Sequence, residues 1–196
     1  MTAFDDRERA RIREALIETG RERFARYGLR KTTIADLTEP VGIATGTFYR
    51  FFDSKEELFW TVLEGEREDV LERYEAAVEA ADGPQEEIVA LLMAVCEEIE
   101  TNPLTRAALA DGEVDRLLRE MSDEELAESH RRSVEYLLPY VESWQEAGVA
   151  PETDPEVVAG TLRAVTFVIL HRNELGPEYP AIRETLIERL AAGLVP

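Results

Sequence analysis

The 196-residue sequence predicts an all-α protein of about nine helices, and three observations carry that expectation. Apolar residues recur at helical spacing along most of the chain. No segment shows the apolar–polar alternation of a strand, and no motif repeats at a fixed period. Glycine and proline gather at Asp82-Gly83-Pro84, Thr101-Asn102-Pro103, Gly148-Val149-Ala150-Pro151 and Gly176-Pro177, where they cut the chain into helix-length pieces.

The first helix is expected over 6–27, with Ile12, Leu16, Phe24 and Tyr27 on its apolar side and Gly28 as a left-handed C-cap. Gly20 in its middle costs roughly 1 kcal/mol against alanine. Arg7, Arg9, Arg11 and Arg13 line its start, interleaved with Glu8 and Glu14; this fits either a phosphate-contacting arm or an ordinary solvated helix start. Two short helices follow. Thr33 is a good N-cap for the first of them, with Asp36 as the partner of a capping box, and Ile34 and Leu37 give it an apolar face. Pro40 removes a backbone donor and should end that helix early, and Gly42 stands where the chain must turn sharply. The second short helix is expected over 45–52, and Ser54 with Glu57 forms a capping box for the next. Helix, glycine-containing turn and second helix make the helix-turn-helix pattern, whose second helix lies in a DNA major groove.

A long helix over 55–81 should bury Phe59, Val62, Leu63, Val70, Tyr74, Ala77 and Val78. Pro84 suits the first turn of a helix over 85–100 that carries Ile88, Leu91, Leu92, Val95 and Ile99. A short helix then ends near Asp111. After the acidic stretch 113–125, a long helix runs to about Ala147, interrupted by Pro139, which should kink it and free the carbonyl near Glu135. Asp154 and Pro155 pattern as N-cap and first residue of a helix over 155–173, and a final helix covers 179–192.

The stretch IADLTEPVGIATGTFYRFFDSKEEL resembles the signature of TetR-family transcriptional regulators over about residues 12–63. A Thr-Thr pair opens the first short helix, a G-T-x-Y segment forms the second, and Ser-Lys-Glu-Glu-Leu opens the long helix after it. The resemblance implies a DNA-binding domain over 1–55, with its motif at about 32–52, and a ligand-binding and dimerisation domain over 56–196. It implies that Thr45, Gly46, Thr47 and Arg50 face base edges or sugars of double-stranded DNA, and that Thr33, Tyr49 and Lys55 hold phosphate. Lys31 joins that DNA-facing set. Arg50 is the candidate for bidentate guanine readout. The sequence departs from the family's usual residues at Gly20, Arg23, Pro40, Ala44 and Phe51; with alanine at 44, Thr45 becomes the expected cap of the recognition helix. The function so implied is a one-component regulator, a ligand-released repressor acting as a homodimer on a palindromic operator.

Charge and composition narrow the alternatives. Residues 1–55 hold 11 Arg+Lys against 9 Asp+Glu, a balance of +2, and residues 56–196 hold 11 against 33, a balance of −22. That asymmetry fits an amino-terminal part that approaches phosphate and a remainder that repels it, although ordinary solvated helix surfaces would give the same totals. No apolar run nears the about 20 residues of a membrane span, and the charged amino terminus has no signal-peptide core, so a soluble cytoplasmic protein is expected. One cysteine and two histidines without ligand-type spacing give no catalytic constellation, no metal site and no cofactor. The competing class is an interaction protein of the same fold that does not bind DNA. With 42 acidic residues and two lysines against 20 arginines, the composition also suits a halophilic source; a GC-rich genome or a merely acidic mesophile would fit it as well.

The helix over 155–173 is apolar around most of its circumference, so it must be covered on several sides. In the family the last two helices pair with their mates, which makes Val158, Leu162, Val165, Phe167 and Ile169, with Ile182, Leu186 and Leu190, the expected dimer interface. The alternative is a central helix of a monomer's core. For a small apolar or amphipathic effector the candidates are Tyr136, Tyr140 and Trp144 near the Pro139 kink, with Tyr74, Met93, Cys96 and His130. Trp60 and Phe167 are further aromatic partners. Aromatic residues at this spacing serve a core equally well, His130 fits a satisfied core histidine as well as a polar anchor, and Met93 and Cys96 fit either filling or lining.

Overall fold

The computed structural model describes residues 6–110, 131 and 133–195. Those residues are helical throughout apart from turns and caps, with no strand among them. The chain packs as two compact units, Met1–Glu68 with Asn102–Asp111, and Asp69–Thr101 with Gly112–Pro196.

In the first unit, α1 (Asp6–Lys31) is followed by α2 (Ile34–Thr38), α3 (Thr45–Phe48), the first half of α4 (Lys55–Glu79) and α6 (Pro103–Ala110). Residue 55 opens α4, and the packing of this unit continues along the same helix through Glu68. Gly28 has φ 74 and ψ 168, so α1 kinks where its end is expected but resumes a helical turn to Lys31. The core gathers Ile12, Leu16, Phe24, Leu37, Phe48 and Leu58, with Phe24 and Phe59 edge to face at 5.1 Å. Gly20 belongs to this packing: a Cβ there would sit 3.2 Å from both Leu58 and Phe24 side chains. The helical propensity lost at Gly20 is thus the condition for α1 and α4 to approach closely.

The second unit holds the rest of α4, α5 (Pro84–Thr101), α7 (Leu138–Glu146), α8 (Pro155–Arg163), α9 (Val165–Leu170), α10 (Arg172–Leu175) and α11 (Tyr179–Leu194), with a 3₁₀ turn at Gly176–Glu178. Its core includes Tyr74, Ile88, Leu91, Cys96, Leu137 and Leu162. Several of its buried polar groups are paired. Glu98 meets Arg73 at 2.5 Å, the Trp144 indole donates to Glu87 at 2.6 Å, and Glu100 accepts from Tyr179 and from Arg183. Pro139 does interrupt its helix, with a turn at 135–137 before α7. The Glu135 carbonyl is not freed, however, because the Leu138 amide donates to it at 3.3 Å.

The helix expected over 155–173 starts as foreseen, with the Asp154 side chain accepting from the Glu156 amide, but it is broken into α8, α9 and α10. The first break has a visible cause. The Thr166 hydroxyl donates to the Arg163 carbonyl at 2.8 Å, the acceptor that the Phe167 amide would use in a regular α-helix. The Phe167 amide bonds instead to Ala164, one residue nearer, at 3.1 Å. Ala164 keeps right-handed helical angles (φ −56, ψ −23), so the result is a bend and not a stop.

Candidate nucleic-acid interface

The helix-turn-helix is built from local chemistry. Thr33 and Asp36 form the expected capping box: the Asp36 amide donates to the Thr33 hydroxyl, and the Thr33 amide donates back to the Asp36 carboxylate at 2.9 Å. The hydroxyl proton of Thr33 also goes to that carboxylate, at 2.6 Å. These bonds, first the hydroxyl and then the amide, hold Asp36 below the usual aspartate range, and the Arg23 charge adds to them. Gly42 makes the turn at φ 76, with its amide donating to Glu39. The recognition helix α3 is shorter than expected, ending at Phe48, with 49–51 continuing as a turn. Its N-cap is Ala44, which offers no side-chain acceptor, and Thr45 is the first helical residue and not the cap. Ser54 accepts from the Glu57 amide as foreseen, while the Glu57 carboxylate takes the Asp53 amide in place of the Ser54 amide.

Phe48 and Phe52, four residues apart, anchor α3 and its following turn in the core. That orientation leaves Thr45, Gly46, Tyr49 and Arg50 on one exposed face, with Tyr49 58% exposed and edge to face on Phe48 at 5.5 Å. Thr47 is half-buried at the side of this face, and Lys31 is exposed at the end of α1. Gly46 has no neighbour within 4 Å of where a Cβ would stand, so nothing in the fold requires a glycine there.

Two of the expected phosphate holders have other work. The Lys55 ammonium donates to the carbonyls of Leu29 at 2.8 Å, Thr32 at 3.0 Å and Arg30 at 3.4 Å, which uses all its donors on the end of α1. Lys55 is a helix C-cap, favoured by the partial negative charge of that terminus, and has no donor left for phosphate. Thr33 is likewise corrected: its hydroxyl proton is engaged by Asp36, which places a carboxylate where phosphate was expected.

Two of the four arginines at the start of α1, Arg9 and Arg13, are more than solvated charges. The Arg9 guanidinium donates to the Arg50 carbonyl at 3.2 Å and lies 5.8 Å from the Phe51 ring centre, and Arg13 lies 5.1 Å from that of Phe52. Arg9 thereby ties the turn after α3 to α1. Sequence spacing carries no signal for a contact 41 residues long.

In the second unit, the Tyr74 and Tyr136 rings lie 5.9 Å apart and tilted to one another, and burial raises both phenols, Tyr136 to about 12. Cys96 is fully buried, and desolvation pushes its thiol up to about 12, so it is not a thiolate at neutral pH. Met93 is half-buried beside it on α5. Tyr140 and Trp144 lie 6.3 Å apart, but the buried Trp144 is a core anchor through its bond to Glu87. Trp60 belongs to the first unit, where it is exposed and its ring lies 6.0 Å from that of Phe59. His130 lies outside the described residues. An open groove of about 550 Å³ between Ala77, Ala81, Val89, Ala90, Glu188 and Ala192 contains none of the expected effector residues.

Half of the expected dimer face needs correction. Val158, Leu162, Val165 and Ile169 are buried within their own chain, with Leu162 at 0% exposure, and cannot meet a second copy. Three of the expected residues do face outward, Phe167 at 51% exposure, Ile182 at 38% and Leu186 at 37%, and Val157, outside the expected set, is 56% exposed. Leu190 is half-buried.

No group of three or more metal-ligating side chains occurs among the described residues, and none of their helices is long and apolar enough to cross a membrane.

Residues 16–61 match the family profile described as bacterial regulatory proteins, tetR family. Over 180 residues, 87% of this chain and 90% of the relative, the sequence is 27% identical to HTH-type transcriptional repressor KstR2 of Mycobacterium tuberculosis. It is 29% identical over 184 residues, 87% of each chain, to the repressor of the same name from Mycolicibacterium smegmatis. Among solved structures, a TetR-family transcriptional regulator from Pectobacterium atrosepticum shares the fold with a TM-score of 0.70 at 23% identity, over 98% of each chain. The ketosteroid transcriptional regulator KstR2 of Mycobacterium tuberculosis does so with a TM-score of 0.57 at 24% identity, over 99% of this chain and 97% of that one.

Proposed function

The chain belongs to the TetR family of transcriptional regulators, and from that premise we propose that it is a homodimeric repressor released from a palindromic operator by a small effector. The observation that carries this reading is the exposed face of α3. Thr45, Gly46, Tyr49 and Arg50 project together from a helix whose other side is locked into the core by Phe48 and Phe52. Gly46 leaves this face open, with nothing within 4 Å of where a Cβ would stand. In the groove, Arg50 would read a guanine edge, Thr45 and Thr47 would meet bases or sugars, and Tyr49 and Lys31 would take phosphate.

Two copies related by a two-fold axis would present paired α3 helices to half-sites about 34–36 Å apart, or a multiple of that. The apolar face of Val157, Phe167, Ile182 and Leu186 is the surface available for that pairing. A small apolar or amphipathic effector bound near Tyr74, Met93, Cys96 and Tyr136 would change the separation of the two recognition helices. The regulator would act in the cytoplasm, where the chromosome is. The test is selection of duplexes from a random pool on the purified dimer, followed by gel shift. A palindromic consensus lost on Arg50→Ala is expected; a pool that never enriches would refute the reading.

A further inference from the structure

An open groove of about 440 Å³ lies in the first unit between the end of α1 and the start of α6, and no residue of α3 lines it. Phe24, Tyr27 and Pro103 supply its apolar wall, and Arg30, Lys31 and Arg106 its polar one. No carboxylate lines it, although the chain carries 42 Asp+Glu against 22 Lys+Arg. The three cations are exposed, and none of their side chains has an ion-pair or hydrogen-bond partner among the described residues. A fourth positive charge stands at the rim, since the Lys55 ammonium is held 3.4 Å from the Arg30 carbonyl. In a chain with nearly twice as many acids as bases, three neighbouring cations with no acid among them make the groove a local inversion of the protein's charge.

We propose that this groove binds a phosphodiester of the DNA backbone, outside the stretch that α3 reads. The proposal depends on the chain being a DNA-binding regulator. Charge complementarity fixes the ligand chemistry: Arg30 and Arg106 offer planar forks suited to phosphate oxygens, and Lys31 a point charge. The groove's position favours DNA as the source of that phosphate. Lys31 lies two residues before Thr33, the cap of the helix-turn-helix, which sets this end of the groove beside the DNA-reading motif. Such contacts hold and orient the duplex and carry no sequence information.

The experiment uses the full chain and its selected operator in two lengths, one trimmed to the consensus and one extended by a helical turn of DNA on each side. Binding is measured across a KCl series for the wild type, Arg106→Gln and Arg106→Lys. On the extended duplex, Arg106→Gln should flatten the slope of log K against log salt by about 0.9 for each phosphate that residue 106 no longer neutralises. Affinity should fall equally for consensus and mismatched duplexes, and Arg106→Lys should keep most of the wild-type slope. On the trimmed duplex, variant and wild type should coincide. An unchanged slope for Arg106→Gln on the extended duplex, with the wild type binding normally, overturns this inference alone. Thermal melts with inorganic pyrophosphate address a free anion: stabilisation lost in Arg106→Gln without a change in DNA slope would also overturn it. Wild-type protein that binds neither duplex would overturn the regulator reading, and this inference with it.

Discussion

Lys55 shows how far one side chain's role can stand from its apparent motif. Its position in a sequence signature points outward to phosphate, whereas its ammonium caps the end of α1 through the carbonyls of Leu29, Arg30 and Thr32. Hydrogen bonds from a charged donor contribute about 1.5–3 kcal/mol net. Lys55→Ala should therefore lower stability by about 2 kcal/mol, seen as a lower urea midpoint, and any loss of DNA affinity should follow from the loosened α1–α2 junction. A variant as stable as the wild type that binds DNA poorly would restore the phosphate role. The cap was not legible in the sequence because its donor and acceptors are 23 to 26 residues apart. The Thr33–Asp36 box was legible, because both partners lie within one turn.

At the scale of elements, the short-range signals located the helices and left their facing undecided. Proline, glycine and capping residues marked the ends of α2, α5 and α11 and the start of α8 within a residue or two, since each acts on the backbone beside it. The apolar run of α8 and α9 gave no facing, because a helix apolar on all sides does not distinguish its own core from a second copy. Structure separates the two. Phe167→Asp, at an exposed position, should leave the melting temperature of the fold close to wild type while converting dimers to monomers in sedimentation. Leu162→Asp buries a charge with no partner and should unfold the second unit. If Phe167→Asp still sediments as a dimer, the interface lies elsewhere. For α3, Gly46→Ala meets no steric obstacle within the chain and should raise helix stability by up to about 1 kcal/mol. Its operator affinity should nevertheless drop by tenfold or more, and equal or tighter binding would remove Gly46 from the interface.

For the whole molecule the governing quantity is a net charge of −20. Self-repulsion of that size weakens the compact state at low ionic strength, and salt relieves it as the Debye length falls from about 10 Å at 0.1 M to about 3 Å at 1 M. Stability should rise over that KCl range in thermal melts. DNA affinity should fall over the same range, because counterion release opposes binding. Maximal stability at low salt would show that the acidic surface is spaced widely enough not to repel itself.

The bend at Ala164 has a consequence for which chains can mate. One step bonded three residues back turns the chain by about 120°, where a regular α-helical step turns it by about 100°. Everything after Thr166 is therefore rotated by about 20° relative to a straight helix, Phe167 first. A single buried hydroxyl so sets the azimuth of the exposed Phe167 ring, the knob that would meet a second subunit in the proposed dimer. Thr166→Val, which keeps the shape and removes the donor, should straighten the helix and misalign the knob. Differently tagged wild-type and Thr166→Val chains, mixed and captured on one tag, should then recover each its own kind; free exchange between them would mean the azimuth is immaterial. If the chains recover only their own kind, the angle of one ring would insulate this regulator from others of its architecture without any change in how sticky the surfaces are.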